Sequence, residues 1–314
     1  MSDTIPPHTP IDTPTGQLSH YTLGTGPSLL IIHGAVSNAL THLSLAHLLS
    51  PNYTVHLYSR RSRGLSSSYP PSILSQPLAT EGVIRTDTKI LPRAYSPAFS
   101  TAILETDVSD LETVISATKA ECIIAVSSGA LVALQYLLTR SARTGGSLRV
   151  KEAVLFEPPI FFTDRESPEL TPLIPRFEAE WEAGDVSGAM ITSMKAVQLG
   201  PWWIPRWIAR GVMGLGGKEG RKKMEEMGRS LRFDFAAIEG MVGDLDRFKV
   251  VSGVEVLLLG GEKSPVYLGR GLEVLAEVFG RRVVLKGVGH EVLCGREMRG
   301  CPERAVGVLR EFFG

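Results

Sequence analysis

Cysteine, net charge and long apolar runs are all scarce in this sequence, and each shortage excludes a class of protein. Three cysteines in 314 residues (Cys122, Cys294 and Cys301) are too few and too odd in number for a disulfide framework, and none stands at metal-ligand spacing from a histidine. A reducing compartment follows, with the cytoplasm as the expected location. The 33 basic residues balance 33 acidic ones, so no global field draws in nucleic acid or an anionic membrane surface. No apolar run reaches the roughly 18 residues of a membrane span. The opening MSDTIPPHTPIDTPTG has neither the basic nor the apolar region of a secretory leader, so a soluble chain is expected. What is present is core-forming material: 43% hydrophobic and 21% charged residues, well outside the range of disordered chains.

Short β-branched and leucine-rich runs alternate with helix-length amphipathic segments. Strands are expected at residues 28–32, 54–58, 122–126, 150–156, 254–259 and 282–285, each nearly continuously apolar, as strands buried on both faces are. Helices are expected at 40–49, 105–118, 130–138, 271–279 and 302–313. The pattern predicts an α/β protein with a mostly parallel twisted sheet flanked by helices. Two stretches interrupt the alternation. Residues 67–100, rich in Ser, Pro and Thr, read as an extended surface loop. Residues 161–247 read as a helical cap inserted into a core formed by 1–160 and 248–314.

Three motifs carry chemistry. In IIAVSSGALVAL, residues 123–134, a buried strand ends in Ala125-Val126-Ser127-Ser128-Gly129 and an apolar helix follows at once. This is the form of a nucleophile elbow, where a sharp turn lifts a serine hydroxyl above the sheet and the residues two positions either side must be small. In LLIIHGAVSN, residues 29–38, a strand ends in His33-Gly34; the backbone after such a pair can supply an oxyanion-binding N–H, here Ala35, with Ser128 giving the second. His33 itself reads as structural. In VVLKGVGHEVL, residues 283–293, His290 follows a glycine-broken strand near the carboxyl end, where a general base belongs in the chain order serine, acid, histidine.

Together with YSRRSRGLS at 58–66, these segments resemble the α/β-hydrolase superfamily, over about residues 20–160 and 250–314. The resemblance implies the α/β-hydrolase fold with a cap and a serine-hydrolase triad. The acid has two candidates. Glu262 lies in the loop after LLLGG, where the acid usually stands, but directly behind the double glycine; Glu157 closes the apolar strand in KEAVLFEPP, thirty residues after Ser127. A charge closing a buried strand is costly without a partner, and that favours Glu157, with a salt bridge to Arg60 or Arg61 as the structural alternative. Acid placement on that strand resembles the zearalenone lactonases, with their Ser-His-Glu triad, and some haloalkane dehalogenases. Dehalogenases and epoxide hydrolases need an aspartate nucleophile, and Ser127 argues against both.

In the cap, Trp202, Trp203 and Trp207 form an aromatic cluster suited to lining an apolar substrate pocket or to cap packing. RKKMEEM, residues 221–227, reads as a solvated helix face, and Arg60, Arg61 and Arg63 as braces for their loop. The expected activity is cleavage of a small-molecule ester or lactone by Ser127, His290 and Glu157, with no metal and no cofactor. Two rival readings use the same pocket: base-catalysed cyclisation, retro-aldol cleavage or acyl transfer, and a small-molecule receptor without turnover.

Overall fold

A computed structural model describes residues 4–76, 83–85, 90–144, 148–161, 170–199, 204–214 and 217–314. The chain opens with a hairpin of β1 (Ile11–Thr13) and β2 (Gly16–Leu18), then enters the main sheet through β3 (His20–Leu23). That sheet continues with β4 (Ser28–Ile32), β5 (Thr54–Tyr58), β8 (Cys122–Val126), β9 (Glu152–Phe156), β10 (Glu255–Gly261) and β11 (Arg282–Leu285); a second hairpin, β6 (Val83–Arg85) and β7 (Ile90–Pro92), stands outside it. The spatial order is β11-β10-β9-β8-β4-β5-β3, and every pairing is parallel except that of β3 with β5. From β4 the chain steps to β5 on one side and later returns to β8 on the other. The carboxyl ends of β4 and β8 therefore flank the point where strand order reverses, the place where open parallel sheets leave a crevice.

Alternation along the strands builds two cores. Leu30, Ile32, Ile123, Ala125, Leu155 and Leu258 pack on one face; Leu29, Ile31, Ile124, Val126, Val154 and Leu257 pack on the other. The second face is covered by α1 (Leu43–Leu49) and α10 (Glu303–Phe313). Following α1, the short α2 (Pro71–Leu74) leads to the long α3 (Pro97–Thr118) and α4 (Ser128–Thr144), which cover the first face with α9 (Val266–Phe279).

Between β9 and β10 run α5 (Leu170–Glu182), α6 (Val186–Val197), α7 (Arg206–Gly214) and α8 (Gly217–Met241). The amino-terminal part of α8 is the solvated face expected of RKKMEEM, with Arg221 paired to Glu225 one turn on. Its carboxyl-terminal part is different: Leu231, Phe233, Phe235, Ala236, Ala237, Ile238 and Met241 join the same apolar cluster as α3 and α4. The stretch expected to be one extended loop is more structured than its composition suggests. It carries α2, the β6–β7 hairpin and the start of α3, and buries Tyr69 and Tyr95. The tyrosines are anchored by acids, Tyr69 donating to Asp107 at 2.7 Å and Tyr95 to Glu178 at 2.5 Å. No helix among the described residues is long and apolar enough to cross a membrane.

Candidate active site

Parallel register sets the site. Ile32 pairs with Ala125, Val126 with Phe156, and Phe156 with Leu259, so the residues leaving β4, β8 and β9 emerge side by side: His33-Gly34, Ser127 and Glu157. Ser127 has φ +53° and Glu157 φ +46°, a left-handed conformation that costs about 1 kcal/mol or more for a residue with a Cβ. Ser127 is held there by its N–H on the Phe156 carbonyl and by its own carbonyl, which accepts from Ala130 N–H, both at 2.8 Å. The turn requires glycine at 129, because a Cβ there would lie 2.4 Å from the His33 carbonyl oxygen.

His290 Nδ1 meets Glu157 Oε2 at 2.5 Å, and the carboxylate is sealed at 1% exposure while the imidazole keeps 13%. The second oxygen of Glu157 accepts the Gly261 N–H at 2.6 Å. The double glycine closing β10 has a steric reason at each position: a Cβ at Gly260 would stand 2.6 Å from Leu272 Cδ1 and 3.1 Å from Glu157 Oε1. A Cβ at Gly261 would stand 2.7 Å from the Val288 carbonyl, so only glycine lets the His290 loop close over the strand end. Phe156 links the two halves, its carbonyl holding Ser127 and its ring centroid 5.8 Å from that of His290. No hydrogen bond joins the Ser127 hydroxyl to His290 in this structure; such pairs commonly tighten only when substrate is bound. Glu262 is occupied elsewhere. Its carboxylate accepts the Gly287 N–H at 2.8 Å on the exposed side of the loop.

His33 is buried and proton-poor. Burial, then the nearby Arg63 and Arg60 guanidiniums, hold it well below its ordinary range. Its tautomer follows from its partners: Arg60 N–H donates to Nε2 at 2.9 Å, so the proton sits on Nδ1 and is donated to the Gly34 carbonyl at 2.8 Å. The Ser37 hydroxyl donates to the same oxygen at 2.9 Å. Two donors on the Gly34 carbonyl orient its peptide, whose N–H belongs to Ala35 and points the opposite way. The next residue, Val36, has φ +55°, rare for a β-branched side chain and a further mark of strain beside the site. Ser128 is the first residue of α4, so its N–H has no acceptor inside the helix.

Trp202 and Trp203 lie outside the described residues, and Trp207 is 76% exposed on α7. Arg60 and Arg61 do not pair with Glu157. They brace the core through Asp107 and Asp110, and Arg60 and Arg63 also reach Asp234. Asp234 and its contact with Ser128 escaped the sequence reading; the available signal was a charge inside the apolar run LRFDFAAIEGM. No cluster of three or more His, Cys, Asp or Glu among the described residues is arranged to hold a metal ion.

A seven-stranded hydrolase-type sheet with a strained serine after β8 and a buried carboxylate on a late-chain histidine defines a class. The alpha/beta hydrolase family model matches residues 29–297, and the chain belongs to that family. Among solved structures, it is similar to an alpha/beta hydrolase from Sphaerobacter thermophilus, with 22% identity, TM-score 0.69, and 98% of this chain and 100% of that one covered. A thermophilic esterase from Thermogutta terrifontis is 16% identical with TM-score 0.60, covering 98% of each chain. The naproxen esterase of Bacillus subtilis is 16% identical with TM-score 0.56, covering 98% of this chain and 91% of that one. No curated protein matches the chain in sequence.

Proposed function

We propose that the protein is a serine hydrolase that cleaves a small apolar carboxylic ester or lactone through an acyl-enzyme. The observation that carries this reading is the 2.5 Å contact of His290 with the buried Glu157, presented beside a serine held at positive φ. In the proposed cycle Ser127 Oγ attacks the carbonyl while His290 Nε2 takes its proton. Glu157 keeps the other imidazole proton on Nδ1 and stabilises the cation that forms. The N–H groups of Ala35 and Ser128 receive the developing oxyanion, each worth about 3 kcal/mol in comparable sites. The imidazolium then protonates the leaving alkoxide, and a water activated by His290 releases the acid. The similarity to esterases supports the substrate class, and the acid on the strand after the elbow, the placement by which the sequence resembles the zearalenone lactonases, adds macrolactones to it. No cofactor enters this cycle.

Intact-protein mass after incubation with a fluorophosphonate tests the proposal. Wild type should gain one adduct, Ser127→Ala none, and Glu157→Gln should react slowly. Turnover of p-nitrophenyl esters and macrolactones should be lost with the label. A folded wild type that never labels and never turns over an ester sinks the proposal in favour of base catalysis or ligand binding alone.

A further inference from the structure

Ser128 offers more than an N–H. Its hydroxyl donates to Asp234 Oδ1 at 2.8 Å and accepts from an Arg60 Nη at 3.1 Å, while that nitrogen also reaches the same Oδ1 at 3.0 Å. The other Asp234 oxygen accepts from Arg63 at 2.7 Å. Arg60 Nη2 donates to Asp107 at 2.5 Å. Two guanidiniums and two carboxylates thus balance in a nearly water-free cluster, with Arg60, Arg63, Asp107 and Asp234 all buried. Burial alone would push the Asp234 carboxyl up, but Arg63 and Arg60 beside it, together with the hydrogen bonds it accepts, hold it below the usual carboxylate range. It remains a charged acceptor.

These residues come from four places. Arg60 and Arg63 follow β5, Asp107 lies on α3, Ser128 opens α4, and Asp234 belongs to α8, between β9 and β10. Stability alone is a weak explanation for the Ser128 link. A buried ion cluster is often no more stabilising than apolar packing, and Arg60 and Asp234 already touch without the hydroxyl. The hydroxyl does tie the first peptide of α4 to a fixed frame. Arg60 also acts at the other wall, because its main-chain N–H sets the His33 tautomer that orients the Gly34–Ala35 peptide.

We propose that Asp234, acting with Arg60 through the Ser128 hydroxyl, is a positioning residue for the oxyanion site, so that docking of α8 is a condition of full catalysis. The proposal rests on the serine-hydrolase reading above. It concerns only how the Ser128 N–H is aimed, since neither Asp234 nor Arg60 is assigned contact with substrate.

The test is steady-state ester hydrolysis by wild type, Ser128→Ala, Asp234→Asn and the double variant, with kcat expressed per site titrated to completion by fluorophosphonate. Ser128→Ala should lower kcat about tenfold with KM within about twofold, a fraction of what losing a whole donor costs. Asp234→Asn should do the same, and should add nothing in the Ser128→Ala background. Unchanged kcat per titrated site in Ser128→Ala, or full additivity of the two substitutions, overturns the proposal and leaves the cluster a structural brace. If Asp234→Asn does not fold, Ser128→Ala decides by itself, because it keeps the Arg60–Asp234 pair. Failure of the underlying reading looks different: wild type then takes no label at Ser127, and both proposals fall together.

Discussion

Two buried acids flank the elbow, and their partners give them opposite characters. Glu157 and Asp234 are each about 1% exposed, and each spreads two oxygens over separate donors. Glu157 faces an imidazole and a backbone N–H. Asp234 faces two guanidiniums and a hydroxyl. In the proposed cycle the imidazole takes the serine proton and hands it on, so the charge beside Glu157 changes within a turnover. A guanidinium does not, so the cluster around Asp234 is a permanent fixture. On the proposed reading, the same residue chemistry supplies a working part on one side of Ser127 and a frame on the other. What differs is the partner, and the partner is set by which strand end or helix lies alongside.

The comparison is sharpest where each acid is removed. Glu157→Gln should lower kcat for ester hydrolysis by about 10²–10⁴, because an amide no longer favours the productive tautomer or the cation. Its stability cost should be the smaller one, since no guanidinium loses its countercharge. Asp234→Ala should instead cost about 3–5 kcal/mol in urea unfolding, because it strands Arg60 and Arg63 in a dry interior with half their countercharge. Equal stability losses in the two variants would erase the distinction between working part and frame.

A smaller effect separates titrating from non-titrating groups. Burial holds His42 at about 4, against the ordinary 6.5, with its Nδ1 on the Leu293 carbonyl at 2.8 Å. His56, paired with His20 at 3.1 Å, is also lowered to about 4 by burial and then by His20. Below 6.5 the unfolded chain takes up protons that these folded sites refuse, so stability is full above that value and falls as pH drops toward about 4. His42 alone contributes about 3 kcal/mol to that fall. Thermal unfolding between pH 4 and pH 7 checks the slope, and His42→Gln should flatten it. A wild-type curve that stays level over that range contradicts the neutral state assigned to these histidines. The smallest effect belongs to Glu262→Gln, which should leave kcat within about twofold, because that carboxylate only accepts the exposed Gly287 N–H. A loss comparable to that of Glu157→Gln would transfer the acid's role to Glu262.

Legibility tracked how local each signal was. β4, β5 and β8 match the apolar runs residue for residue, because a strand buried on both faces leaves a continuous hydrophobic record; β11 matches its run as well, although it is an edge strand with Arg282 and Val284 exposed. Helix starts were less visible. α3 begins at Pro97 rather than at 105, and its start was written in Ser96-Pro97, an N-cap followed by proline at the first turn. β3 was missed because His20-Tyr21-Thr22-Leu23 is a short edge strand with mixed polarity. Asp234 and Glu239 stand inside an apolar helical run, where a charge lacks the positional cue that singles out Glu157 at the close of an apolar strand. Glu239 turned out to hold the Ala94 and Tyr95 N–H groups, at 3.0 and 3.2 Å. The charges of RKKMEEM mark the solvated half of α8, not the half that carries Asp234 and Glu239.

By itself, the sequence determined the parallel sheet, the elbow at Ser127, the glycine at 129 and a histidine late in the chain. These are local requirements: strand burial, a tight turn, chain order. Tertiary structure alone decided which acid meets His290, since Glu157 and Glu262 both lie at strand ends and differ only in what the neighbouring strand presents. It alone brought Asp234 to Ser128 across 106 positions of chain. A buried charge records in the sequence that a partner must exist, but the partner's identity is a matter of which surfaces the fold presses together.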